Sequence, residues 1–140
     1  MATDTDCVFC RIAKATLPAN IVFEDDAIVA FLDVTPLSDG HLLLIPRDHV
    51  ERITDMPDEL AARLGAAMPR LGRALLTVTA APGFNVLQNN GREAGQVVPH
   101  VHFHLIPRAA ADGLGYRWNA GTYAEGRDIE LAEALRRALT

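Results

Sequence analysis

Several features that define other classes of protein are missing from this sequence. No apolar run approaches the roughly 20 residues that a membrane-spanning helix requires. The polar, acidic start lacks the basic and apolar regions of a signal peptide. Basic residues are not in excess, since 13 lysines and arginines are outnumbered by 18 acidic residues and the formal net charge is -5. A nucleic-acid-binding surface would need a basic stripe. We therefore expect a cytoplasmic protein with neither a membrane nor a nucleic acid as partner.

Cysteine is also scarce, because Cys7 and Cys10 are the only two in the chain. In a reducing compartment the Cys-x-x-Cys spacing favours metal binding or redox chemistry over a structural disulfide. Two cysteines and two histidines form a common closed zinc site, for which His41 and His49 are candidates. The alternative is a buried, reduced cysteine pair with no chemical role.

Length and apolar spacing predict one domain of mixed secondary structure. The 140 residues are 49% hydrophobic and 22% charged, as in ordinary globular domains. Pro69 falls inside the longest predicted helix, so we expect a kink or a split there. Tight hairpins in this order indicate an antiparallel α+β domain. The predicted helices lie at 7–15, at 58 to about 78 and from Asp128 (as N-cap) onward; the predicted strands lie at 21–24, 27–33, 41–46, 84–88 and 100–108.

The segment 100–108 is the most informative part of the chain. His100, His102 and His104 alternate there with apolar residues, which is typical of a strand. Side chains alternate across a strand, so the three imidazoles share one face, about 6–7 Å apart in succession. Three titratable, metal-capable rings on one surface predict a functional site.

Two chemistries are open for this histidine strand. The three rings can ligate a metal, or one of them can act as a nucleophile while its neighbours orient it and bind the substrate anion. No acidic residue stands immediately beside the strand to complete a local metal site. Asn89, Asn90 and the amides of Gly91 and Gly95 instead offer neutral donors, which suit a phosphate.

Apolar and acidic residues in the first third of the chain are candidates for ligand contact. Asp33 ends an apolar strand, where its carboxylate can accept the two hydroxyls of a ribose or form an Asx turn ahead of Pro36. Four apolar side chains can line a flat slot or belong to the core: Phe9, Ile12, Phe31 and Val34.

The motifs of this sequence resemble those of the histidine triad (HIT) family of nucleotide hydrolases and transferases. Residues 100–106, His-Val-His-Phe-His-Leu-Ile, are similar to the family signature. The resemblance extends over residues 7–108, and the tail at 109–140 is divergent, so the chain 1–140 is expected to be a single HIT domain. Other segments resemble the family in order and spacing: 7–12, 17–18, 23–26, 31–36, 40–49 and 88–96.

The resemblance implies a fold and an activity. The fold is a HIT-like α+β domain with a five-stranded antiparallel sheet and two main helices, paired as a homodimer with a ten-stranded sheet. The activity is attack on the α-phosphorus of a purine mononucleotide, with a nucleoside 5′-phosphoramidate as the expected substrate, through a nucleotidyl-histidine intermediate and without a catalytic metal. Alternatives are a dinucleoside polyphosphate hydrolase and a nucleotide-binding regulatory module with vestigial activity.

The resemblance also implies roles for individual residues. His102 matches the nucleophile, and His104 matches the residue that contacts the phosphate and assists the leaving group. Asp33 matches the ribose carboxylate, and Phe9, Ile12, Phe31 and Val34 match the purine slot. The residues matching the phosphate environment are Asn89 and the loop amides of Gln96, Val97 and Val98.

Zinc-bearing members of the superfamily imply a second set of residues. The ligands of a structural zinc ion would be Cys7, Cys10, His49 and His100, which leaves His41 as a neighbour of the active site. Val97 stands where many phosphoramidate-cleaving members carry serine or threonine, so the resemblance implies weaker cleavage of P–N bonds.

Overall fold

The computed structural model describes residues 6–114 and 120–140. Three helices lie within these ranges, and none of them combines the length and apolar character needed to cross a membrane. The helices are α1 (Val8–Ala13), α2 (Asp58–Thr79) and α3 (Arg127–Leu139), and the strands are β1 (Ile21–Glu24), β2 (Ile28–Leu32), β3 (Leu42–Pro46), β4 (Gly83–Gln88) and β5 (Phe103–Arg108).

The five strands form one antiparallel sheet in the order β1-β2-β3-β5-β4. Asp25 closes the first hairpin, because its Oδ1 accepts hydrogen bonds from the amides of Ala27 (2.8 Å) and Ile28 (2.9 Å). The predicted α+β class and the five-stranded antiparallel sheet are confirmed. A third, six-residue helix accompanies the two longer ones.

Alternate residues of the central strands divide the apolar core into two layers. On one face of the sheet, side chains such as Ala30, Leu32 and Leu44 pack against helices α2 and α3. On the other face, Val29, Phe31, Leu43 and Ile45 pack against α1. This division follows from the two-residue period of a strand. His104 lies opposite Leu43 in the β3–β5 ladder, so its side chain projects on the α1 face.

The histidine segment is less regular than the sequence pattern predicts. Strand β5 begins only at Phe103, so His100 and His102 precede it. The ladder with β3 stops because Pro46 has no N–H to donate and its carbonyl accepts the His100 ring Nε2–H at 2.9 Å. The Val101 amide donates instead to the carbonyl of Val50, at 2.7 Å. The prediction of one strand across 100–108 is therefore wrong at its start.

Helix boundaries differ from the predictions at two places. Helix α2 runs unbroken through Pro69, so a split is wrong; the proline is exposed, and Leu64, Leu71 and Leu75 on the opposite side are buried in the core. Helix α3 begins after Gly126, whose φ of 78° is left-handed, so Asp128 is not its N-cap. The Asp128 carboxylate instead accepts a hydrogen bond from Asn20 Nδ2 at 3.0 Å.

Candidate active site and metal centre

His102 is held in one tautomer by the backbone. Its Nδ1–H donates to the carbonyl of His100 at 2.7 Å, which leaves Nε2 unprotonated in the neutral ring. Burial lowers the pKa of His102 below its usual value, opposed in part by this hydrogen bond and by the negative charge of Asp33. The ring is therefore neutral near pH 7, with a nucleophilic lone pair on Nε2.

A chain of hydrogen bonds sets the tautomer of His104. The Leu37 amide donates to Nδ1 of the fully buried His41 at 3.0 Å. The proton of neutral His41 therefore resides on Nε2, which lies 2.9 Å from Nδ1 of His104. His104 accepts at Nδ1 and carries its own proton on Nε2. Burial lowers the pKa of His41 to about 4, and burial with the neighbouring His102 and His41 lowers that of His104 to about 3.

Asp33 lies beside this histidine pair, and its two carboxylate oxygens have different neighbours. Oδ1 accepts from the Thr35 amide (2.9 Å) and hydroxyl (3.2 Å), which is the predicted Asx turn. Oδ2 lies 3.6 Å from His41 Nε2. Asp33, His41 and His104 are close enough to surround a cation. However, the 2.9 Å separation of the two ring nitrogens is that of a hydrogen bond, shorter than the ~3.3 Å between two nitrogens on one tetrahedral zinc ion.

The loop between β4 and β5 is organised by the side chain of Gln96. Its Oε1 accepts from the Gly91 amide at 2.7 Å, and its Nε2 donates to the carbonyls of Glu51 (2.7 Å) and Val98 (3.1 Å). Gln96 is buried, whereas Val97 is 90% exposed. The Gln96 amide also donates within the loop, to the Gly91 carbonyl at 3.1 Å. Of the three amides predicted to face a phosphate, only those of Val97 and Val98 therefore stay candidates.

The predicted purine slot is only partly assembled from the predicted residues. Phe9, Ile12 and Phe31 belong to one buried cluster, and the Phe9 and Phe31 rings meet edge to face with centroids 5.7 Å apart. The Phe9 ring also lies 5.0 Å from the His102 ring. Val34 is outside this cluster and 76% exposed; it borders a cavity beside Asp33 instead.

The C-terminal tail supplies residues that the sequence did not single out. Segment 122–126 forms one wall of the cavity of about 280 Å³ that Asp33 and Val34 border. The Tyr123 hydroxyl accepts a hydrogen bond from the Gly40 amide at 3.2 Å. Burial raises the pKa of Tyr123 to about 12, and the carboxylates of Asp39, Asp33 and Asp128 add to the effect. No local pattern in the tail signals these contacts.

Two cysteines and two histidines converge beside His102 and can hold a metal ion. Cys7 Sγ lies 3.4 Å from His100 Nδ1, and Cys10 Sγ lies 3.3 Å from His49 Nδ1 and 3.5 Å from His100 Nδ1. The edges of a tetrahedral zinc site with one sulfur and one nitrogen measure about 3.5 Å. His100 donates its Nε2–H to the Pro46 carbonyl, so its Nδ1 lone pair faces the cysteines. The four donors fit zinc.

The fold and the site together define a class: an antiparallel α+β protein with a histidine triad at the start of its fifth strand, beside two cysteines and two histidines that can hold a metal ion. A model of the HIT domain matches residues 14–111. Adenosine 5′-monophosphoramidase HNT1 of Candida albicans is 41% identical over 144 residues, covering 99% of this chain and 95% of that protein. The chain belongs to the HIT family, as its motifs predict.

Solved structures agree with this assignment. A Zn-bound histidine triad family protein from Mycobacterium smegmatis is 36% identical, with a TM-score of 0.84 over 95% of this chain and 92% of that one. A Hit-like protein from Bartonella henselae is 30% identical, with a TM-score of 0.86 over 99% of this chain and 100% of that one. The first of these makes zinc a possible occupant of the Cys₂His₂ set.

Proposed function

We propose that this protein is a purine nucleotide hydrolase in which His102 attacks the α-phosphorus and forms a nucleotidyl-histidine intermediate. The hydrogen bond from His102 Nδ1 to the His100 carbonyl, 2.7 Å long, carries this proposal, because it presents an unprotonated Nε2. Several relatives with this domain are named adenosine 5′-monophosphoramidases, and the prediction that the chain is an enzyme is confirmed at that level.

In the first half of the reaction, His102 Nε2 forms a bond to phosphorus as the bond to the leaving group breaks. The leaving amine of a phosphoramidate must gain a proton to depart as a neutral molecule. Neutral His104, with its proton on Nε2, donates a hydrogen bond to a phosphate oxygen or to the leaving nitrogen. The proton that completes the neutral amine comes from solvent. The amides of Val97 and Val98, together with Asn89, stabilise the negative charge that grows on the phosphorus oxygens.

In the second half, water attacks the same phosphorus and the bond to His102 Nε2 breaks. The products are the nucleoside monophosphate and the free imidazole, with the proton of the water passed to solvent or to a neighbouring base. Phe9, Ile12 and Phe31 hold the purine and Asp33 accepts the ribose hydroxyls. Val34 contacts the nucleotide from the edge of the cavity beside Asp33.

Val97 favours a second candidate reaction. Its side chain has no hydroxyl with which to assist an amine leaving group, and a phosphate anhydride needs less assistance because its leaving group is already a stable anion. A dinucleoside polyphosphate hydrolase using the same His102 is therefore the alternative. Comparing kcat/KM for adenosine 5′-phosphoramidate and for a diadenosine polyphosphate distinguishes the two substrates.

We propose a structural zinc ion at Cys7, Cys10, His49 and His100. When bound, it would supply a rigid cross-link between the N-terminal helix and the segments that precede and follow the central strands. His102 lies outside this set. A cytoplasmic location is consistent with reduced cysteines at such a site.

We further propose a homodimer in which two sheets join through β4. Strand β4 is an edge of the sheet and exposes Val86 and Leu87, which are 48% and 36% accessible. The opposite edge is covered, since Arg136 of helix α3 donates to the Ile21 carbonyl of β1. Pairing of β4 with its copy would bury the apolar edge and give a ten-stranded sheet.

Trapping the intermediate tests the proposed reaction. The protein is mixed with adenosine 5′-phosphoramidate labelled at the phosphorus, quenched in alkali and digested, and the labelled peptide is sequenced by mass spectrometry. We expect an AMP adduct on His102 and none in His102→Gln, whose kcat should fall by about 10⁴-fold or more. Labelling elsewhere, or full turnover in His102→Gln with its metal content unchanged, would contradict the mechanism.

A further inference from the structure

Phe9 links the metal centre to the proposed nucleotide site. It lies in α1 between the two cysteines, is 7% exposed, and meets three other rings. Its centroid lies 5.0 Å from that of His102, 5.7 Å from that of Phe31 and 5.9 Å from that of His100. One aromatic ring therefore touches the proposed nucleophile, the proposed purine slot and a candidate metal ligand.

Helix α1 depends on its surroundings for its position. Six residues are too few for a helix to be stable in isolation. Its apolar side chains pack on β2 and β3. At its C-terminal end, Arg47 Nη1 donates a hydrogen bond to the Ala13 carbonyl at 2.6 Å. Its N-terminal end meets His49 and His100 through the thiols of Cys7 and Cys10, and the Phe9 ring also packs against the His100 ring. A metal ion there would join α1 to two segments distant in sequence.

His100 provides a second connection between the two sites. Its Nδ1 faces the cysteines and its Nε2 donates to the Pro46 carbonyl. The carbonyl of the same residue accepts the Nδ1–H of His102. A change in the position of the His100 ring would therefore also move the His100 carbonyl. This carbonyl orients the ring of His102, two residues later.

We propose that metal loading of Cys7, Cys10, His49 and His100 regulates nucleotide binding, and that Phe9 is the residue that transmits the effect. In the loaded protein the first turn of α1 is fixed and Phe9 forms a rigid wall of the purine slot. Without metal this turn is released and the wall is lost. The inference rests on the proposed function, since it concerns affinity for a purine nucleotide.

Nucleotide binding with and without metal tests the inference. The full chain is prepared zinc-loaded and, separately, stripped with a chelator; circular dichroism checks that both are folded, and calorimetry measures the Kd for AMP. Stacking of one base on an aromatic ring contributes enough to change affinity by about tenfold or more. We therefore expect AMP to bind about tenfold more weakly to the stripped protein, with recovery on adding zinc.

Two variants identify Phe9 as the coupling residue. Phe9→Leu keeps the four metal ligands and should bind zinc normally, yet bind AMP weakly whether loaded or stripped. Arg11→Ala is the matched control, because Arg11 is exposed on the same helix; it should retain the full response to zinc. A response to zinc in Phe9→Leu as large as that of the wild type would overturn the role of Phe9.

The outcomes separate this inference from the proposed function. Equal AMP affinity in the loaded and stripped wild type would overturn the inference and leave nucleotide binding intact. If the loaded wild type binds no AMP, the proposed function itself fails. If stripping unfolds the chain, the loaded Phe9→Leu variant decides: an AMP affinity equal to that of the loaded wild type would overturn the inference.

Discussion

Individual histidines of this chain differ in chemistry because their two ring nitrogens have different partners. His100 donates from Nε2 and turns Nδ1 to the cysteines, whereas His102 donates from Nδ1. His104 accepts at Nδ1 from His41. The same residue type therefore supplies a candidate metal ligand, a candidate nucleophile and a candidate hydrogen-bond donor to the phosphate within five positions. Side-chain identity sets the possible chemistry, and the hydrogen-bond partner selects among the possibilities.

Val97→Ser tests the role of the exposed residue in the loop. A serine hydroxyl can donate to a leaving nitrogen, so we expect kcat/KM for adenosine 5′-phosphoramidate to rise by about 10- to 100-fold. The side chain is 90% exposed, so the free energy of unfolding should change by less than about 0.5 kcal/mol. Val97→Ala is the control and should show no gain. A serine variant no faster than the alanine variant would argue against assistance from this position.

Two glycines of α2 show how closely this helix approaches strand β4. Gly72 is buried where α2 crosses β4, and a Cβ built there overlaps the Phe84 ring. Gly65 lies seven residues earlier, about two turns back on the same helix face, but it is exposed and nothing is near the position of a Cβ. The close contact between helix and strand therefore requires glycine at one of these positions and not at the other.

Alanine substitutions at these two glycines should have opposite effects on stability. Gly72→Ala forces the Phe84 ring to move, so we expect the free energy of unfolding to fall by about 1–3 kcal/mol. Gly65→Ala should raise it by about 1 kcal/mol, because alanine is the better helix former and meets no obstacle. Urea denaturation followed by circular dichroism measures both. Equal effects in the two variants would mean that the approach of Phe84 does not limit the packing.

The whole molecule should lose stability in mild acid because its histidines are buried in the neutral form. The pKa values of His41 and His104 in the folded protein, about 4 and about 3, lie below the ~6.5 of an unfolded chain. Between pH 6.5 and about 4 the unfolded chain binds protons that the folded one does not, so the free energy of unfolding decreases as pH falls. Above pH 6.5 these histidines are neutral in both the folded and the unfolded chain, so they no longer lower the free energy of unfolding.

His41→Gln tests this contribution at a residue outside the set of candidate metal ligands. Each neutral buried histidine adds about 1.4 kcal/mol per pH unit to the slope of unfolding free energy against pH. Urea denaturation at pH 7, 6 and 5 should therefore give a slope that is shallower by up to this amount in His41→Gln. An unchanged slope would show that His41 is protonated in the folded state.

A substitution on the edge strand β4 tests the proposed homodimer. Leu87→Lys places a charge on β4 where the proposed partner strand would pair, so we expect sedimentation to show a dimer for the wild type and a monomer for the variant. Exposed Ile129 on helix α3 lies away from this edge, and Ile129→Lys is the matched control that should remain dimeric. A wild-type monomer would exclude the ten-stranded sheet.

Local patterns predicted the elements of this fold well and their ends less well. Alternating and run-like apolar segments located all five strands and the long helix, because secondary structure buries its apolar side with a fixed period. These patterns gave wrong boundaries where residues distant in sequence contact the element. Strand β5 starts late because the Pro46 carbonyl is taken by the His100 ring, and α2 remains unbroken because buried leucines hold both halves against the core.

The site shows the same difference between what local patterns predict and what contacts between distant residues decide. The spacing of cysteines and histidines was enough to single out the Cys-x-x-Cys pair and the triad, since these are motifs within short stretches of chain. The complete set of four candidate metal ligands came only from the resemblance to zinc-bearing members of the superfamily, because spacing alone left His41 and His49 as alternatives. The tautomers of His102 and His104, the commitment of Gln96 to the loop, and the tail segment beside Asp33 emerged only from folding. Apart from the local bond between His102 and the His100 carbonyl, each of these depends on contacts between residues far apart in the chain. A hydrogen bond of that kind leaves no periodic trace among neighbouring residues.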